Sequence, residues 1–135
     1  MKQKKTLLIT GAAGDIGQGI ARYFNNKDWN VVGLDKNIPK NKNFFVHFIK
    51  ADLLRFVENS SYQKKILSDL NSTLTKDLSI DCLNNNAATQ IVKPALKLSA
   101  KDFDISFSVN SIAPFILSNH FFYQLKRNKG NIINI

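Results

Sequence analysis

The chain has 135 residues, 44% apolar and 21% charged, and its 19 Lys and Arg against 10 Asp and Glu give a net charge of +9. That length sets one domain with a modest core, and that apolar fraction excludes a disordered chain. One cysteine excludes an internal disulfide framework and fits a reducing cytoplasm, no apolar run approaches a membrane span, and the basic start passes too soon into Thr10-Gly11 for a signal peptide.

Leu7-Leu8-Ile9 predicts a first strand over 5–10. Thr10-Gly11-Ala12-Ala13-Gly14-Asp15-Ile16-Gly17 follows and runs into a helical pattern with Ile16, Ile20, Tyr23 and Phe24. A glycine turn between strand and helix lets a ligand approach the backbone. The first helical turn then offers unpaired N–H groups and the positive end of the helix dipole, and a dinucleotide pyrophosphate is the usual occupant. The plain alternative is a turn that binds nothing. A second strand, 30–34, ends at Asp35, about 20 residues past the glycines, where the dinucleotide fingerprint places an acid. A carboxylate there accepts hydrogen bonds from the adenosine ribose and repels a 2′-phosphate, which points to NAD rather than NADP. Lys36 beside it weakens that preference, and Asp35 could instead open a turn before Asn37 and Pro39.

The link to a third strand, 44–50, is too short for a crossover helix, so an irregular loop through Pro39 must carry it. Phe44, Phe45 and Phe48 read as sheet core and edge. Tyr62, Ile66, Leu67, Leu70 and Leu74 recur at helical spacing, and a fourth strand, 80–84, encloses Cys82 as a buried, inert thiol. The longest helix spans 101–127, with Phe103, Phe107, Ile112, Phe115, Ile116 and Phe122 as its predicted core. Ser99 and Asp102 have the spacing of a capped helix start, and Pro114 should kink the helix or begin a second segment. A fifth strand covers 131–135. Strands alternating with helices imply a parallel sheet with right-handed crossovers. The predicted fold is α/β: a three-layer, doubly wound, Rossmann-like domain over 1–135 with strand order 3-2-1-4-5 and helices on both faces. His47, His120 and Cys82 lack metal-ligand spacing, so no metal site is expected. The lysines are scattered and arginines number three, Arg22, Arg55 and Arg127, so no specific nucleic-acid binding is expected.

Taken in order, the motifs resemble the N-terminal portion of classical short-chain dehydrogenase/reductase (SDR) family members. Thr10-Gly11 through Ile16-Gly17 is similar to that family's cofactor turn, and Asp35 to its ribose acid. Ala51-Asp52-Leu53 is similar to the segment flanking the adenine ring. Asn84-Asn85-Asn86-Ala87-Ala88 resembles the Asn-Asn-Ala-Gly segment, Ser108-Val109-Asn110 the helix with the active-site asparagine, and Gly130 to Ile135 the fifth strand. The resemblance implies an NAD-linked oxidoreductase that moves a hydride to or from a carbonyl or alcohol carbon. Its implied cofactor-binding residues are Gly11, Gly14, Asp15, Ile16, Gly17, Asp35, Asp52, Leu53, Asn86 and Ala87, and its catalytic-site residue is Asn110. Plainer roles stay open: a strand-end cap for Asp52, a turn for Asn85 and Asn86, and for Asn110 a polar helix residue satisfied by a backbone carbonyl.

Several residues depart from the family pattern. Asp15 stands where the second motif glycine falls, with Gly14 one place early; Asp15 is expected to cap the first helix and face away, leaving the N–H groups free. Ala88 replaces a glycine, and Asn84 replaces an apolar strand residue and needs partners. The resemblance puts the catalytic Ser and Tyr-x-x-x-Lys beyond Ile135. Tyr23 and Lys27 match that spacing only as a decoy in the first helix. The expectation is a truncated or split cytoplasmic member, inactive alone, that would act on a small carbonyl or alcohol when completed. Its implied partners are another copy of itself or a complementing C-terminal fragment, without a membrane. The competing reading is a non-catalytic nucleotide-binding module or partner subunit.

Overall fold

A computed structural model describes residues 3–75 and 78–135; the basic start of the chain lies partly outside them. Five parallel strands form one sheet: β1 (Thr6–Thr10), β2 (Asn30–Asp35), β3 (His47–Lys50), β4 (Ile80–Asn85) and β5 (Asn131–Asn134). Their order is β3-β2-β1-β4-β5, as the sequence predicts. β1 lies at the centre and every one of its residues is buried. Its side chains alternate between the two helical layers, which is why the strand reads as an unbroken apolar run.

On one face, Leu7, Ile9, Val31 and Cys82 meet α1 (Asp15–Asn26) through Ala21, Ile20 and Phe24. Burial and the neighbouring Asp81 push the Cys82 thiol pKa up, in keeping with an inert residue. On the other face, Leu8, Val32, Leu34 and Leu83 pack against α2 (Leu53–Glu58), α3 (Ser60–Thr73) and α5 (Ala113–Asn128). The fold is a three-layer Rossmann-like α/β domain.

β3 is shorter than predicted. Lys42 accepts from Phe45 N in a turn at 3.1 Å, so the chain joins the sheet only near Val46, whose N–H reaches Val31 O at 2.9 Å. The Phe45 and Phe48 rings fill the space a side chain on Gly33 would need. α2 was not predicted. Its six residues are too few to show a helical period, and the Asp52 side chain starts it by accepting from Leu54 N and Arg55 N.

The long C-terminal helix is borne out in one respect and corrected in another. As Pro114 predicts, a second segment begins there: a π-helical turn, Ser108–Ile112, joins α4 (Ala100–Phe107) to α5, with Pro114 in the first turn of α5. Ser99 and Asp102 form the predicted capping box. The predicted core is on the wrong face, however. Phe103, Phe107 and Phe115 are about two-thirds exposed, Phe122 and Ile112 are also exposed, and only Ile116 packs partly against the core. The buried stripe is Ala113, Leu117, Phe121 and Leu125, one i,i+4 row that faces the sheet.

At the far end of the sheet, the register of β4 against β1 shifts between Thr6 and Leu7, and Asp81 Oδ2 accepts from Thr6 N at 2.9 Å. A side chain on Gly130 would collide with Asp81 O, so glycine leads α5 into β5. β5 forms the sheet's outer edge, and Ile132 and Ile133 remain about two-fifths exposed.

Candidate functional site

The carboxyl ends of β1, β2 and β4 open into a cleft of about 670 Å³. Such a crevice, where the strand order reverses about β1, is where an open α/β sheet binds ligands. The turn after β1 shapes its floor. Gly11 has φ +65°, and a Cβ there would stand 2.8 Å from Ala87 Cα. A Cβ on Gly17 would run into Gly11 O, so the helix can lie against the turn only with glycine there. Gly14 differs: its nearest neighbour to a built Cβ is Gly11 O at an ordinary 3.5 Å.

α1 begins without a side-chain cap. Gly14 is the N-cap residue and Asp15 is the first helical residue, exposed at the lip of the cleft. This corrects the expectation that Asp15 caps the helix. A residue already in the first helical turn no longer has the extended backbone that turns a capping side chain back onto the N–H groups. Gly14 N bonds to Gly11 O at 3.2 Å and Gln18 N to Gly14 O at 2.9 Å. The N–H groups of Asp15, Ile16 and Gly17 therefore have no acceptor among the described residues, and together with the helix dipole they form a positive patch facing the cleft.

Asp35, at the end of β2, stands beside that patch. Its Oδ2 accepts from Ala13 N at 3.0 Å and its Oδ1 from Asn37 N at 2.8 Å. The carboxylate is thus held by backbone donors on two sides. Asp52, on the same wall, spends Oδ1 on capping α2 through Leu54 N at 2.9 Å and Arg55 N at 3.3 Å. Its neighbour Leu53 is buried beneath. Asn86 closes the opposite wall. Its Nδ2 donates to Thr10 O at 3.1 Å and Gly11 O at 3.2 Å, which ties the end of β4 to the turn after β1. Thr10 heads the glycine motif with no role of its own in the sequence reading, yet its Oγ1 accepts from Asn86 N at 3.1 Å and Ala87 N at 3.0 Å. Ala87 lines the cleft beside it.

Asn110 sits in the π-helical turn. Its Oδ1 accepts from Thr89 N at 2.8 Å and its Nδ2 donates to Thr89 O at 2.9 Å. One carboxamide thereby holds both main-chain groups of Thr89, the N–H of one peptide unit and the C=O of the next. The far end of that segment is fixed by Asp102. Lys93 Nζ lies 2.7 Å from its Oδ1, and Ser99 N and Oγ donate to its Oδ2 at 2.9 and 2.8 Å. Led by the Lys93 hydrogen bond, these partners pull the Asp102 pKa down to about 2.

A second recess of about 460 Å³ adjoins the cleft, lined by Asn85, Asn110, Ser111, Phe115, Ser118 and Asn134 among others. Asn85 and Asn134 face each other in register, with Asn85 Nδ2 2.8 Å from Asn134 Oδ1. The buried Oδ1 atoms of Asn85 and Asn84 have no hydrogen-bond partner among the described residues, so the partners expected for Asn84 Oδ1 are not found. Among the described residues, no group of three or more His, Cys, Asp and Glu could hold a metal ion, and no helix is long and apolar enough to cross a membrane.

The sequence pattern of the short chain dehydrogenase family matches residues 5–135. An L-fucose dehydrogenase of Oryctolagus cuniculus is 30% identical over 137 residues, which cover 97% of this chain and 46% of that protein. Among solved structures, a 4-hydroxyisoleucine dehydrogenase complexed with NADH superposes with a TM-score of 0.79 at 30% identity, covering 97% of this chain and 54% of that one. A short chain dehydrogenase from Leptospira borgpetersenii with bound NAD+ gives 0.80 at 28% identity, covering 98% and 51%. The chain spans about half the length of the curated relatives it matches.

Proposed function

Because the chain belongs to the short-chain dehydrogenase family of oxidoreductases, we propose that its cleft holds NAD(H) for hydride exchange with a small carbonyl or alcohol. The observation that carries this reading is the set of three acceptor-free amides, Asp15 to Gly17, beside a carboxylate whose orientation is fixed. The open Gly14 supports the fit, since the protein leaves its Cβ position clear on the side where a diphosphate would lie.

In this reading the first-turn amides hold the diphosphate. Asp35 takes the adenosine ribose hydroxyls, Asp52 and Leu53 border the adenine, and Asn86 and Ala87 border the second ribose. Asn110 holds the 86–99 segment at the nicotinamide end. The bound nicotinamide supplies the hydride chemistry, and the protein supplies binding and orientation. Asp35 repels a 2′-phosphate, which favours NAD over NADP. In this reading the proton-transfer Ser, Tyr and Lys of the family pattern would follow β5. General acid–base catalysis by such groups would contribute about 10²–10⁴-fold, and the part that residues 11–110 supply in this reading is the nucleotide site. The lone buried Cys82 supports a cytoplasmic setting. The exposed aromatic face of α4 and α5 and the open edge of β5 support a polypeptide partner, another copy or a complementing segment.

Isothermal titration with NAD and NADP tests the assignment. NAD binding in the micromolar range with weaker NADP binding is the expected result. No heat with either nucleotide, from protein shown to be folded by circular dichroism, would overturn it.

A further inference from the structure

Gln18 lies in the second turn of α1 and uses both ends of its carboxamide. Nε2 donates to Ala13 O at 3.0 Å, and Oε1 accepts from Asn41 N at 3.2 Å. A carbonyl on one side and an N–H on the other fix which way the amide points. Ala13 is also bonded through its own N–H, in the preceding peptide unit, which donates to Asp35 Oδ2 at 3.0 Å. Asp35 Oδ1 accepts from Asn37 N at 2.8 Å, and Asn41 Oδ1 accepts from Asn43 N at 2.9 Å. The chain of contacts runs from the 37–43 segment through Gln18 and Ala13 to Asp35, then back to Asn37. That segment has no regular secondary structure, and it is exposed apart from Pro39. Lys36 and Asn37, at its start, line the cleft beside Asp35.

We infer that Gln18 is a positioning residue for nucleotide discrimination: its carboxamide fastens the 37–43 segment to the turn after β1 and so sets how Asp35, Lys36 and Asn37 face the adenosine ribose. The inference rests on the NAD(H) reading above. It differs from a direct contact, because Gln18 acts through the main chain of Ala13 and through Asn41. A side chain on a helix is a firmer anchor for an irregular segment than another loop residue. Released from Gln18, the segment frees Asp35 to turn away, and the cation on Lys36 then meets a 2′-phosphate less opposed.

The test compares the unliganded wild-type protein with Gln18→Ala and with Gln18→Met, which keeps length and packing but removes both hydrogen bonds. Amide hydrogen exchange at Asn41 reads the fastening, and calorimetric Kd values for NAD and NADP read the discrimination. Both variants should lose Asn41 protection and show an NAD-to-NADP preference lowered about tenfold, the scale of one hydrogen bond, with the thermal midpoint unchanged. Retained protection and preference in Gln18→Met would assign the effect to packing and overturn the inference. So would unaltered preference in both variants while the wild type binds NAD. Binding of neither nucleotide by the wild type would instead sink the NAD(H) reading itself, and this inference with it.

Discussion

Gly17 and Gly11 are pressed together so closely that a methyl group on Gly17 would overlap the carbonyl oxygen of Gly11. Gly14, between them in sequence, meets that same oxygen at only 3.5 Å. The fold therefore demands glycine at 17, whereas at 14 only a ligand would. Gly17→Ala should destabilise the domain by about 1–3 kcal/mol, the usual cost of overpacking. Gly14→Ala, at φ −72°, should leave the urea midpoint unchanged or slightly raised. Its NAD affinity should fall about tenfold or more, near 1.4 kcal/mol. Urea melts and calorimetry on the two variants separate the effects, and an unaltered NAD Kd in Gly14→Ala would count against a diphosphate in the turn.

Asp35→Asn retains an oxygen for the Ala13 N–H and removes the charge. The repulsion of a 2′-phosphate should go with it, so the NADP-to-NAD affinity ratio should rise about tenfold, again near 1.4 kcal/mol. Titration of both nucleotides into wild type and variant measures the ratio directly. An equal ratio in the two proteins would remove Asp35 from the discrimination.

Asp102 gives the domain an acid limb. Its folded pKa, about 2, lies below its ordinary value of 3.8. The stabilisation is therefore fully present above pH 4 and is lost as the pH falls through about 2, where the folded-state carboxylate takes up its proton. Asp102→Asn should lower stability at neutral pH and flatten its slope between pH 4 and 2. Urea midpoints measured across that range check the change in slope, and parallel curves for the two proteins would contradict it.

The orientation of α5 is testable by pairing neighbours. Phe121 is fully buried and Phe122 is half-exposed. Phe121→Ala should cost about 3–5 kcal/mol, as deletion of a core aromatic does. Phe122→Ser should change stability by about 0.5 kcal/mol or less, as surface substitutions do. Equal losses at both positions in chemical denaturation would mean that the helix presents a different face to the sheet.

The sheet was legible because its signals are local. Leu7-Leu8-Ile9 and Val31-Val32-Gly33-Leu34 are unbroken apolar runs ended by turn residues, and alternation with helices leaves few topologies. The glycine turn and Asp35 were legible for the same reason. α5 was not, because it is apolar on two faces. Ile112, Phe115, Ile116 and Phe122 make as strong a pattern as Ala113, Leu117, Phe121 and Leu125, and only contact with β4 and α2 chooses between them. Gln18 left no signal at all. A polar residue on a helix looks solvated until the fold brings Asn41 beside it. Thr10 carries no signal beyond its place in the motif, because a strand-end threonine is common, and its hydroxyl acquires a role only when β4 ends alongside.

The π-helical turn at Ser108–Ile112 has a consequence for how this chain can vary in length. One residue of an α-helix advances the next by about 100° around the axis. Deleting one residue from 108–112 would make the helix regular and keep its phase: Ser108 and Ala113, buried five residues apart, would take the i,i+4 spacing of Ala113, Leu117, Phe121 and Leu125. The wide turn thus absorbs the extra residue while both flanking helices keep their faces, and a variant one residue shorter would keep the layer that α5 supports and lose the bulge that carries Asn110.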